Sequence, residues 1–313
     1  MLLSLLWRLI ILLRNAHTLS NVDIRMKTIQ TDNELSSPKL RTEISYQAAM
    51  SRYRTLRGLG RISWATWVIT VVTVGIWCFT ASQVALASGA QGFSGIIVNI
   101  WNNAINIQNE NVLANVLVKY GAKENTLIAQ GQYWRFVTPI FLHANLLHIG
   151  LNMLNFAVLG IILERIMGHA RFLLVYILTG IVSIIASFAF SPQDISVGAS
   201  GAIFGLVGAY TIFVLMHRRA FRRGGIPSLI WIALVIAVNL CIGLFISNID
   251  NYAHLGGLLS GCLLGWWFAP FYTITPDHTL VDIQSLARRW PLAIAAVVGT
   301  VILAIIALHF VGG

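Results

Sequence analysis

The chain has 313 residues, 57% of them hydrophobic and only 10% charged, with a mean hydropathy of +0.76. A water-soluble domain of this length could hide so much apolar surface only in an outsized core, whereas a polytopic membrane protein presents it to lipid. The net charge of +10 does not point to nucleic acid: ten of the 21 Lys and Arg residues lie in 1–61 and four more are Arg218, Arg219, Arg222 and Arg223, clusters beside hydrophobic spans rather than a basic patch on one domain.

Residues 1–13 are apolar but too short to cross a bilayer, and Arg8 lies within them. An interfacial segment, a signal-like stretch or an upstream start ahead of Met26 all fit this pattern, and no span is assigned there. With the polar residues 14–61 it forms a basic N-terminal tail, 1–61. Runs of about 20 apolar residues then predict seven membrane-spanning helices, at 62–87, 146–168, 171–190, 200–217, 227–247, 252–272 and 290–311. The fold class is all-α, a polytopic helical bundle, with six of the spans falling in 62–272. A linker and seventh helix follow over 273–313. Cys78, Cys241 and Cys262 fall in apolar segments without CxxC spacing and read as small hydrophobes.

Charge orients the spans. With the tail bearing Arg52, Arg54, Arg57 and Arg61 in the cytoplasm, the stretch 88–145 is external, its only basic residues being Lys119, Lys123 and Arg135. The loops with Arg165 and Arg171, with the four arginines at 218–223, and with Arg288 and Arg289 fall inside. Loops 191–199 and 248–251, free of Lys and Arg, fall outside, as does the C-terminus. Spans two, four and six then all run inward. His148 and Asn152 in the first turns of span two, Ser200 at the opening of span four and His254 near the start of span six therefore share one shallow depth at one face. Polar, ionisable residues inside a bilayer are costly and mark function.

The segment Gly198-Ala-Ser200-Gly201-Ala sits at a loop-to-helix junction, where glycines let backbone approach the serine and unpaired N–H groups can hold an anion. A plain N-cap serine with packing glycines fits the same letters. His254 is the candidate base, or a packed hydrogen-bonding residue. Gly257, Gly261 and Gly265, four apart, form a stripe that would bring another helix close. His148 and Asn152, also four apart, share a helix face and can direct an imidazole N–H and a carboxamide NH₂ at one point, as oxyanion donors do. His143 lies in the approach loop and orders it. A zinc site on His143, His148 and His254 is disfavoured, since no HExxH and no acidic ligand accompany them. Asp250 lies in a loop and Glu164 at the far end of span two, which favours a Ser-His dyad over a triad. Phe204, one turn after Ser200, could stack on the imidazole in place of an acid, or simply fill core.

These motifs resemble the rhomboid family of intramembrane serine proteases. The likeness rests on His143-x4-His148-x3-Asn152, Gly198-x-Ser200-Gly201 and Ala253-His254-x2-Gly257-x3-Gly261, and extends to Trp134-Arg135 in the long external loop. It covers about 130–265, while 88–128 matches no motif. The resemblance implies a six-helix core over 62–272, Ser200 as nucleophile, His254 as base, and His148, Asn152 and the Ser200 N–H as oxyanion hole. It further implies single-span or polytopic membrane-protein substrates cut near their external ends, without metal or cofactor, in a bacterial cytoplasmic membrane. Some members carry Tyr where Phe204 stands, and the seventh span resembles a six-plus-one subset. Trp134 and Arg135 are expected in the membrane interface, the arginine snorkelling, or as a simple loop anchor. A client-binding scaffold and a transporter are the competing classes. The first predicts binding without turnover, and the second polar groups reaching both faces.

Overall fold

A computed structural model describes residues 62–104, 108–192, 195–217, 250–274 and 280–312. The tail 1–61, the arginines at 218–223, the expected fifth span at 227–247 and Cys241 lie outside the described residues. The described helices belong to one compact unit, 62–273 with 282–313.

Long apolar runs become long helices: α1 at Trp64–Ala87, then, after three short helices, α5 at Leu146–Met167, α6 at His169–Phe190, α7 at Ser200–Met216, α8 at Asn251–Phe268 and α9 at Leu286–Gly312. The short ones are α2 (Gly92–Asn102), α3 (Glu110–Lys119) and α4 (Asn125–Ala129), followed by two 3₁₀ turns at Tyr133–Phe136 and Thr138–Phe141. They occupy the stretch in which no motif was legible. Two three-residue strands, Tyr272–Ile274 and Leu280–Asp282, pair between α8 and α9. The rest is a helical bundle, an integral membrane architecture. Among the described helices α1, α5, α6 and the Leu286–Val311 part of α9 are each long and apolar enough to cross a membrane.

Helix starts are written in local chemistry. Asn145 accepts from His148 N–H at 2.8 Å to begin α5, and Asp250 accepts from Ala253 N–H at 2.9 Å to begin α8. Gly168, at φ 82°, ends α5 and turns the chain into α6. The start of α1 is capped from outside its own sequence. Glu164 of α5, its carboxylate buried, accepts from the N–H groups of Ala65 (2.9 Å) and Thr66 (2.8 Å) and from the Thr66 hydroxyl (2.6 Å), with His169 Nδ1 also against it. Carboxylate at a helix N-terminus is stabilising because the exposed N–H groups there carry partial positive charge. Glu164 is thus a staple at the end of α5 remote from His148.

Two helices approach at backbone distance. A Cβ built on Gly257 would fall 2.0 Å from the Gly201 carbonyl oxygen, one on Gly261 2.0 Å from that of Gly205, and one on Gly265 2.7 Å from Ala209 Cα. In return, a Cβ on Gly208 would meet the Leu258 carbonyl at 2.4 Å. The four-residue stripe therefore sets the α7–α8 separation, since only glycine lets main chains touch here. α6 completes the layer. Ser183 and Thr179 lie where side chains on Gly201 and Gly205 would go, at 2.2 Å in each case. α7 is consequently almost enclosed by other helices. α9 kinks at Arg289, just ahead of Pro291, and Arg289 Nη1 donates to the Trp267 carbonyl at the end of α8 at 2.8 Å.

Candidate active site

Ser200 is the first residue of α7. The first backbone bond of that helix runs from Ile203 N–H to the Ala199 carbonyl, so the N–H groups of Ser200, Gly201 and Ala202 precede any intrahelical acceptor. Across the glycine contact, His254 on the second turn of α8 places Nε2 2.8 Å from Ser200 Oγ. Phe204, one turn along α7, stacks on the His254 ring at 4.4 Å between centroids and 15° between planes. The far ring nitrogen, His254 Nδ1, is buried and has no hydrogen-bond partner among the described residues. Asp250 is not that partner: its Oδ1 accepts from the Ala253 N–H as a helix cap, and its Oδ2 makes no hydrogen bond among the described residues.

The third helix brings a second imidazole. His148 Nδ1 accepts from Ala144 N–H at 3.4 Å, which leaves Nε2 as the protonated nitrogen. Nε2 faces Gly198: a Cβ there would be 2.9 Å from His148 Nε2 and 3.8 Å from Ser200 Oγ. Gly198 has φ +129°, so both its conformation and this space demand glycine. Asn152 is buried one turn below and donates one amide hydrogen to the His148 carbonyl at 3.1 Å. A carboxamide has a second hydrogen to offer.

His143 is buried beneath this group, edge-on to His148 at 5.0 Å. Its Nε2 accepts from the Ala199 N–H at 3.4 Å. Burial, with the His148 ring beside it, pushes the His143 imidazole down to about 3, the Phe141 carbonyl partly opposing this. It is neutral at ordinary pH and free to accept. Among the described residues no three His, Cys, Asp or Glu side chains converge as metal ligands.

Trp134 and Arg135 part company. Trp134 is exposed, but Arg135 does not snorkel: it is buried, and Nη1 donates to the carbonyls of Val118 and Ala122, both at 2.8 Å, with Nε on Gln132 at 2.8 Å. A guanidinium inside a loop finds several carbonyls at once, which is worth more there than a single charge at the interface. Sequence reasoning also missed backbone partners of the serine loop. Gly198 N–H donates to Pro139 at 2.9 Å, and Lys123 pairs with Ser196 through the main chain.

A family model described as the rhomboid domain matches residues 130–271, which hold every residue of this cluster. The putative rhomboid protease YdcA of Bacillus subtilis (strain 168) is 40% identical over 143 residues, 45% of this chain and 70% of that protein. The chain belongs to the rhomboid family. Other rhomboid relatives match the same portion. The rhomboid protease GluP of Bacillus subtilis (strain 168) is 48% identical over 145 residues, and RHOMBOID-like protein 6, mitochondrial, of Arabidopsis thaliana is 38% identical over 154 residues. The rhomboid match covers 46% and 49% of this chain but only 28% and 50% of those two proteins.

Proposed function

We propose that the chain is an intramembrane serine endopeptidase, acting on single-span or polytopic membrane proteins near their external ends. The contact between Ser200 Oγ and His254 Nε2 at 2.8 Å carries this reading. With the proton on Nδ1, Nε2 receives the Ser200 hydroxyl proton as Oγ attacks the scissile carbonyl carbon. Phe204 holds the ring face where a triad would use an acid. Negative charge gathers on the former carbonyl oxygen, and His148 Nε2–H, the second Asn152 amide hydrogen and the Ser200 N–H are the donors at hand. The imidazolium then returns its proton to the departing amine, and water repeats the sequence to free Ser200 from the acyl-enzyme. Names of relatives support the class: two of those above are called rhomboid proteases.

The lipid-facing exterior and the charge pattern of the loops support a site at the external face, with the N-terminus cytoplasmic and the C-terminus external. α7 has 17 residues and so rises only about 25 Å against roughly 30 Å of hydrocarbon. A serine at its first residue is then recessed below one surface, where water can pool.

A fluorophosphonate probe tests the proposal on the full chain in bicelles. Modification of one peptide, at Ser200, is expected, together with cleavage of single-span reporters. A folded protein that is neither labelled nor able to cut any reporter would be a client-binding scaffold instead. Loss of one oxyanion donor is worth roughly 3–4 kcal/mol, so His148→Ala should lower kcat by about 10²–10³-fold with little change in KM. Asp250→Asn should keep turnover within about three-fold, since Asn caps a helix as well as Asp does. A loss near 10⁴-fold would make Asp250 a triad member.

A further inference from the structure

We propose that Lys123 is a positioning residue for Ser200, acting from outside the helices by clamping the loop that leads into α7. The inference rests on the hydrolase reading above and adds to it a group that does not touch the reacting atoms.

Lys123 is fully buried, at 0% exposure, in a stretch where basic residues are scarce. A buried ammonium is tolerated only where it is paired or hydrogen-bonded. Its Nζ donates to the carbonyl of Ser191, the residue capping the C-terminal end of α6, where unpaired carbonyls attract a cation. Its main chain makes a second attachment five residues further on: Lys123 N–H donates to the Ser196 carbonyl at 3.0 Å, and Ser196 N–H returns to the Lys123 carbonyl at 3.3 Å. One residue therefore fixes the loop at Ser191 and again at Ser196.

What lies beyond Ser196 is the reactive segment. Gly198 faces His148 Nε2, Ala199 N–H meets His143, and Ser200 follows. Only three residues separate the clamped Ser196 from Ser200. The clamp is itself anchored. Arg135 holds the Ala122 carbonyl at 2.8 Å, and Thr138 Oγ1 holds that of Gly121 at 2.6 Å. The long loop before α5 thus serves as the rigid template against which Ser200 and its neighbouring N–H groups are set. A misplacement of about 1 Å at a reacting group is enough to cost about 10²-fold in rate.

Lys123→Met keeps the side-chain length and removes the donor. In the full chain in proteoliposomes, kcat on a single-span reporter is expected to fall about 10- to 100-fold with KM within about two-fold, and the rate of fluorophosphonate labelling at Ser200 to fall in parallel. Asn125→Ala removes a neighbouring part-buried bond that goes to α6 rather than to the serine loop. It should lower Tm comparably yet keep kcat within about two-fold. Unchanged kcat in folded Lys123→Met overturns the proposal, as does an equal loss of kcat in Asn125→Ala at matched stability. If Lys123→Met does not fold, Lys123→Gln decides by the same criteria. A wild type that is neither labelled nor active would instead remove the hydrolase reading, a result told apart from the others by the wild-type arm alone.

Discussion

Ser200→Ala is expected to lower cleavage of a single-span reporter by about 10⁴-fold or more and to abolish fluorophosphonate labelling, while moving Tm by no more than a few degrees. The chemical part follows from the role proposed for the alcohol, which is to form the acyl bond. The stability part follows from its surroundings. Ser200 Oγ has His254 Nε2 as its partner at 2.8 Å, and its loss removes one hydrogen bond of about 1 kcal/mol without leaving a large void. His254→Ala should reach the same floor of activity by another route, leaving the hydroxyl without a base, and should reduce stability more because the ring fills space against Phe204. Because nucleophile and base act as a unit, the double variant should be no worse than either single one. Residual turnover above about one per cent in Ser200→Ala, in a sample free of wild type, would assign the chemistry to another group.

The second large effect is mechanical. Gly261→Ala adds one methyl that would lie 2.0 Å from the Gly205 carbonyl oxygen, a main-chain atom that cannot swing away. α7 and α8 must separate or slide, at a cost of roughly 1–3 kcal/mol or more. The displacement falls on the Ser200–His254 contact two turns away, so turnover should drop about 10²-fold even in molecules that stay folded. Gly265→Ala, at 2.7 Å from Ala209 Cα, should do less, and Gly75→Ala in α1, with nothing within 4 Å, should be silent. Thermal unfolding and reporter cleavage measured across the three would give that order. Equal effects at Gly261 and Gly75 would mean that the helices do not touch as described.

Hydropathy made the helices legible because lipid demands long apolar runs, and the described spans begin and end within a few residues of where those runs do. The largest offsets have local causes. The sixth run reads on to 272, but Ala269 and Pro270 stop α8 at Phe268, and the seventh gains residues before 290 through the kink at Arg289. The helices α2 to α4 were hidden because they are short and none is continuously apolar. The candidate site was legible for the opposite reason, since Ser200, His254, His148 and Asn152 are polar letters in greasy text. What could not be read is whatever passes through main chain. The Ala199 N–H on His143, the Lys123–Ser196 bridge and the Arg135 grip on two carbonyls leave no pattern in side-chain identity.

Main chains in van der Waals contact along α7 and α8 leave no lateral slack between those two rods. Nothing the width of a peptide can slip through that seam. A peptide arriving from lipid would have to pass elsewhere than between these two helices, whose touching main chains hold the paired oxygen and nitrogen in register.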